Sequence, residues 1–364
     1  MPGCSRLVDA LPLLLLFAHM PSHLAHLIHT EDSVARAFPD LADPPERLRS
    51  FLILGAQGPD QFYHNRRRKP SGLLYGSLSH RKNYGRSVAG MIRWATGQEL
   101  PLRSEAGMFV LGYAAHAVLD RKLHPFINYF SDLPDSRVFP RAHAFFERIV
   151  DVLLLRRFRN AEPREIDFRG IVDCGPDLPA EIAAMITAGF LAAFDRADGD
   201  ADLPERLQNA YLDSMGFYGY TNMVGDAAMR RAIDHAENER HERALIALLH
   251  PPQLPAGYDF ANVSGAEWCH PCDETERRAD SLYDLYEEAV VRAERVLTGI
   301  EAGWSGRVPL FDAEADASEP SVEALVGNHN LSDERMLSCP RTCAAPFPLI
   351  EIVDELRRSY QERK

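Results

Sequence analysis

The stretch YAAHAVLDRKLHPF, residues 113–126, places His116, Asp120 and His124 at four-residue intervals in a mostly apolar run. Four residues advance a helix by about 40° beyond one full turn, so on a helix the three stack along one face. Apolar positions recur with a period near 3.6 here and through most of the chain, whereas runs of alternating β-branched residues are almost absent. An all-α fold is predicted. The residue before a proline is pushed out of the α region, so His124, ahead of Pro125, is expected to close its helix and to face a different partner from His116 and Asp120.

The same periodicity predicts helices over 22–37, 46–55, 76–96, 104–124, 136–159, 178–197, 203–223, 226–249, 278–300 and 347–362. Proline and glycine punctuate most of the gaps, as in PPERL at 44–48 and LHPPQLPAGY at 249–258. The segment 304–345, rich in Asp, Glu, Ser, Pro and Gly, reads as surface loop before a last helix. A composition change near 250 divides the chain into a helical body, 20–250, and a C-terminal extension, 251–364, expected to pack back on it. With 364 residues and 46% hydrophobic composition the chain can bury a large core, as one big domain or two smaller ones.

A formal net charge of −13 argues against non-specific attachment to nucleic acid or to an anionic membrane, while leaving room for a local basic patch. The apolar run LPLLLLFA, 11–18, falls far short of the ~20 residues that span a bilayer. Residues 1–18 carry Arg6 ahead of that run, but Asp9 also precedes it and the cleavage site is poor for a signal peptide. Two readings of residues 1–19 follow: a leader that directs secretion, or a mis-assigned start, with translation beginning at Met20 and a cytoplasmic product.

Cys4 and Cys174 are isolated, whereas Cys269 and Cys272, and Cys339 and Cys343, form two close pairs. These suit two short disulfides, one cross-linked set or a four-thiolate structural zinc site.

A second ligand ladder follows the first in RAHAFFERIVD, with His143 and Glu147 at i, i+4 and Asp151 one turn on. Paired ligands on adjacent antiparallel helices are a common way to build metal sites inside bundles, and zinc takes imidazole and carboxylate together. A lone histidine on an apolar face is usually a hydrogen-bonded core residue. His116, Asp120, His124, His143 and Glu147 buried together would instead incur heavy desolvation costs that a metal offsets. Upstream, Gly58-Pro59 forces a turn just before Asp60, which holds that acid on a short rigid loop, and YGSLSH carries His80. Alone, Asp60 would read as a cap or Asx-turn and His80 as a surface histidine. Phe145, Phe146, Leu153, Leu154 and Leu155 read as helix core.

Taken together, MPSHLAH (20–26), GAQGPDQFY (55–63), SLSH (77–80), LGYAAHAVLDRKLHPFI (111–127) and HAFFERIVD (143–151) resemble the zinc-dependent phospholipase C family, whose helical fold is shared with single-strand-specific zinc nucleases. SLYDLYEEAVVRAERVL (281–297), after WCHP (268–271), resembles a later helix of that family more loosely. The resemblance implies a multi-helix bundle holding up to three Zn2+ ions. The first ion would take Asp60, His80, His116 and Asp120, and the second His124, His143 and Glu147. Asp120 would bridge to a third, held by His26 together with the amino and carbonyl groups of the chain's first residue. An attached leader removes that free amino group, which favours a start at Met20. His23 and His29 are alternatives to His26.

The implied activity is zinc-dependent phosphodiester hydrolysis, most simply phospholipase C-like, by a zinc-bound water with Asp60 as general base or orienting carboxylate. The expected substrate is a phospholipid or other small phosphodiester, with at most peripheral membrane contact and no nucleic-acid partner. The alternatives are a single-strand nuclease, which would want a basic groove and stacking aromatics, and a non-catalytic protein keeping metal for folding. HNRRRKPSG, 64–72, lies between two ligands: such charge runs usually face water, and the functional alternative is attraction of an anionic head group. Phe62, Tyr63 and Tyr75 read as cover for helix ends rather than a substrate pocket. The sequence leaves oligomeric state open.

Overall fold

The computed structural model describes residues 22–133, 135, 138–139, 141–221, 234, 236–314, 320–332 and 343–361. The expectations for residues 1–19, Met20 and Cys339 fall outside these. The chain is mostly helical, as its periodicity requires. No described helix is long and apolar enough to cross a membrane.

The first five helices are α1 (His23–Ala37), α2 (Glu46–Ala56), α3 (Asp60–His64), α4 (Leu73–Arg81) and α5 (Tyr84–Gly97). The expected single helix over 76–96 is thus two. Asn83 breaks it by adopting a left-handed conformation (φ 60°), which Asn tolerates, and its side-chain amide donates to the Ala193 carbonyl at 2.8 Å.

The central helix, α6 (Glu105–Ser131), starts where Ser104 caps the Gly107 N–H at 3.2 Å, and is almost entirely buried. It does not end at His124. It runs through Pro125, because the turns beyond are clamped by aromatic packing. Phe126 sits 5.5 Å from Trp268 edge-on, and Phe130 stacks on Phe347 at 5.0 Å. This burial offsets the lost backbone hydrogen bond of an interior proline. Helix α2 crosses α6 at backbone contact distance: a Cβ on Gly55 would lie 2.1 Å from the Phe109 carbonyl oxygen, and one on Gly112 2.0 Å from that of Leu52.

Helix α7 (Ala142–Arg159) begins later than the expected 136, since Phe139 precedes Pro140 and is disfavoured in the α region. Then come α8 (Phe168–Ile171), α9 (Ala180–Ala193), α10 (Leu203–Thr221) and α11 (Glu239–Ile246). A hairpin of β1 (Trp268–His270) and β2 (Asp273–Arg278) interrupts the helices. Last are α12 (Leu282–Trp304), capped by Ser281 with a reciprocal Asp284, α13 (Val322–Val326) and α14 (Leu349–Gln361). The segment beyond 250 lies against the body. Helix α12 packs on α1 and α6, α13 on α5, and one continuous apolar core runs through all of them.

Cys269 and Cys343 form a disulfide, and Cys272 is also disulfide-bonded, so the four-thiolate zinc reading and the two short within-pair disulfides are both corrected. The cross-link ties the β-hairpin to the strand of chain leading into α14. There, Cys343 N–H donates to the Pro271 carbonyl at 3.3 Å, and Ala345 and Phe347 N–H groups donate to Tyr129 and Phe130, each at 2.9 Å.

Candidate metal centre

Five helices deliver polar groups to one place in this apolar interior. Helix α1 contributes His26, α3 Asp60, α4 His80, α6 the ladder His116, Asp120 and His124, and α7 His143 and Glu147. Three groups result, each with ligand atoms close enough to share one ion: His26, His116 and Asp120; Asp60, His80 and His116; and His124, His143 and Glu147.

Asp120 lies at the centre. Its Oδ1 is 3.2 Å from His26 Nε2, and its Oδ2 is 3.1 Å from His116 Nε2, 3.8 Å from His124 Nδ1 and 4.0 Å from His80 Nε2. Asp60 presents Oδ1 to His80 Nε2 at 2.9 Å and Oδ2 to His116 Nε2 at 3.8 Å. Glu147 Oε1 is 3.2 Å from His143 Nε2 and 3.4 Å from His124 Nε2. All eight residues singled out in the sequence therefore converge. The turn before Asp60 is as tight as its Gly-Pro suggests: Gly58 takes φ 51°, and a Cβ there would lie 2.5 Å from the His116 ring.

The backbone fixes which nitrogen of each ring faces inward. His80 Nδ1 lies 2.8 Å from the Gly76 carbonyl, His116 Nδ1 3.0 Å from that of Ala56 and His124 Nδ1 3.1 Å from that of Leu331. A carbonyl only accepts, so each Nδ1 carries the proton and each neutral ring turns the Nε2 lone pair towards the carboxylates. His116 Nε2 and Asp120 Oδ2 are thus two acceptors facing each other at 3.1 Å, and neither has a hydrogen-bond partner. Asp60 Oδ2 and Glu147 Oε2 are likewise buried without a partner. Such a set calls for a cation in its midst.

Without metal, protons would carry that positive charge. Burial pulls the His124 imidazole down, but Asp120 and Glu147 more than offset this and hold it up to about 9. Burial pushes Glu147 up, and the His143 and His124 imidazoles bring it down to about 2. Asp120 is held well below the usual carboxylate range, its burial outweighed first by His116 and then by His124. The cluster is buried throughout: the His116 side chain is 0% exposed, and the most accessible members, His80, His124 and His143, retain only 11–12%.

Neither alternative to His26 joins the cluster. His29 faces Ser33, 3.3 Å away, and the edge of Tyr286. His23 groups with Asp151 and His250, a fourth set with ligand-like spacing. There the Arg148 guanidinium, bonded to both His23 Nδ1 and Asp151 Oδ2, already supplies the positive charge. Asp151 is an anchor for α1 rather than a ligand. It accepts from the Ser22 hydroxyl, from the Ala25 N–H at 2.7 Å and from His250 Nε2 at 2.8 Å.

Sequence reasoning missed His250, Arg148 and the carbonyls of Ala56, Gly76 and Leu331. The first two carried a signal, a buried arginine one turn from Asp151 and a histidine at a helix end; the carbonyls carried none. Tyr63 tilts against His80 at 4.8 Å, and Tyr75 is buried against Phe190 at 5.2 Å.

The chain is thus an all-α protein whose core holds clustered His, Asp and Glu groups able to bind metal ions. Comparison with known protein families, with curated proteins and with solved structures finds no match.

Proposed function

We propose that the chain is a zinc-dependent phosphoric diester hydrolase, most simply phospholipase C-like. The observation that carries the metal is the His116–Asp120 pair: two buried acceptors 3.1 Å apart, with no hydrogen bond to either. Zinc suits a set of imidazoles and carboxylates better than calcium or magnesium, which favour all-oxygen shells. The three groups, two of them sharing His116, would hold up to three ions, and the Met20 amino group proposed for the third lies outside the described residues. The resemblance to zinc-dependent phospholipases C supports the same residue set.

Bound ions would supply Lewis acidity towards a phosphodiester and acidify a water. The chain's own residues do the rest. Asp60, on its rigid turn, holds a carboxylate at the cluster's edge, where it can orient a nucleophile or take its proton. His80, His116 and His124 are locked in one tautomer by backbone carbonyls, so the cage needs little reorganisation. Three groups of ligand-type side chains in one interior favour a multi-ion centre over a single structural ion. The Cys269–Cys343 disulfide supports an oxidising compartment and so the secreted alternative.

The test is metal analysis by mass spectrometry, followed by hydrolysis of a chromogenic phosphodiester, phosphatidylcholine and single-stranded DNA by the native chain and Asp60→Asn. About three zinc ions per chain, with diester turnover that the substitution abolishes, is the expected result. Zinc without turnover on any diester would leave the structural role, and cleavage of DNA alone would make the protein a nuclease.

A further inference from the structure

The turn between α3 and α4 carries four consecutive cations, Arg66, Arg67, Arg68 and Lys69, in a chain of net charge −13. Mutual repulsion among such charges is relieved most simply by letting the loop spread through many conformations. The fold does the opposite. Buried Asp213 of α10 accepts, at Oδ2, the backbone N–H of Arg67 at 2.8 Å, that of Arg68 at 3.0 Å and the Asn65 side-chain amide at 2.9 Å. Its Oδ1 takes Arg68 Nη1 at 2.7 Å. Asn209 and Arg206 of the same helix hold the carbonyls of Pro70 and Ser71 at 3.1 and 2.8 Å.

Pinned in this way, Arg67 and Lys69 project into solvent, and neither makes an ion pair among the described residues. Arg66 is half-buried, with Nε donating to the Tyr63 carbonyl at 2.9 Å, next to the ring that covers His80. Leu74, in the first turn of α4, is 46% exposed. A fixed cationic edge with an unshielded leucine beside it therefore joins the helices that carry Asp60 and His80.

We propose that this edge docks on an anionic lipid surface, with Arg67 and Lys69 meeting lipid phosphates and Leu74 entering the headgroup boundary. A lipid surface asks only for a small basic patch and an apolar side chain. A nucleic-acid strand asks for a long basic groove and free stacking aromatics. Of the neighbouring aromatics, Phe62 is buried and Tyr63 packs against His80 at 4.8 Å. The inference stands on the turn itself and does not depend on the hydrolase reading.

Co-sedimentation of the full chain with vesicles tests it without any turnover. The chain is expected to bind vesicles of mixed phosphatidylcholine and phosphatidylglycerol, to bind phosphatidylcholine alone far more weakly, and to detach as salt rises. Removing both cations, Arg67→Ala with Lys69→Ala, should weaken binding roughly 30-fold, at about 1 kcal/mol per basic residue near an anionic leaflet. Leu74→Ser should weaken it further without altering the salt dependence. Equal binding to both vesicle types, indifference to the double substitution, or Arg67- and Lys69-dependent capture of a single-stranded oligonucleotide in place of vesicles would each overturn the proposal.

Discussion

The carbonyl of Leu331 lies 3.1 Å from His124 Nδ1, across 207 residues of chain, while the Leu331 N–H donates to the His80 carbonyl at 2.8 Å. The backbone of one residue thus ties together the helices that carry His80 and His124. Arg121 fixes the approach to it by donating to the carbonyls of Gly327 and His329, both at 3.0 Å. Leu331→Pro removes the N–H that holds this segment against the His80 main chain, so its carbonyl should shift away from His124 Nδ1 and metal affinity should fall, by up to the roughly 10- to 100-fold typical of losing a partner behind a ligand. Leu331→Ala keeps both backbone groups and should bind metal nearly as the native chain does. Chelator competition measures both, and equal affinities would show that Leu331 does not orient the ligands.

Asp120 and Glu147 serve different numbers of imidazoles, and their conservative substitutions should separate. Asp120 faces His26, His116, His124 and His80, whereas Glu147 faces His124 and His143. Asp120→Asn should cost more than one ion per chain and Glu147→Gln only one. Mass spectrometry of the purified variants gives the count, and equal losses would contradict a central place for Asp120.

Gly58 combines a positive φ with contact to the His116 ring. Gly58→Ala strains the turn and drives a methyl into the imidazole, at a cost of roughly 1–3 kcal/mol. Thermal denaturation should register the loss, and metal affinity should fall with it. An alanine variant as stable and as tightly metallated as the native chain would show that the turn has slack.

Asp151 is fully buried and compensates Arg148, which is also fully buried. Asp151→Ala strands that guanidinium and uncaps α1, so the loss in denaturant unfolding should reach about 3–5 kcal/mol. His26 rides on the same helix and should lose its share of the metal in whatever fraction still folds. A loss below about 1 kcal/mol would place the charge balance elsewhere.

His29 gives a pH signature distinct from the cluster's. Burial lowers its imidazole to about 3, so the folded chain refuses a proton that the unfolded chain takes up near 6.5. Its contribution is fully present above about 6.5 and is lost as pH falls below that, at ~1.4 kcal/mol per pH unit. His29→Leu should flatten stability against pH by that amount between about pH 6 and pH 5. Unchanged slopes would mean that His29 is already charged in the fold.

Most helices, and the convergence of the eight His, Asp and Glu side chains, were legible because both are written in side chains at helical spacing. Three features were not. The helix through Pro125 depends on Trp268 and Phe347, which sit far along the chain and give no local signal. The hairpin at 268–278 has a three-residue first strand and a charged second one, so it shows no alternation to detect. The orientation of His80, His116 and His124 is set by main-chain oxygens, which every residue possesses and no composition betrays.

The place of Leu331 has a consequence for biosynthesis. Its carbonyl lies 207 residues beyond His124 and is made after all eight clustered side chains. While the chain is still emerging from the ribosome, His124 has no acceptor for its outer nitrogen and is free to choose either tautomer. The finished arrangement of the cluster must wait until the chain has been made as far as residue 331.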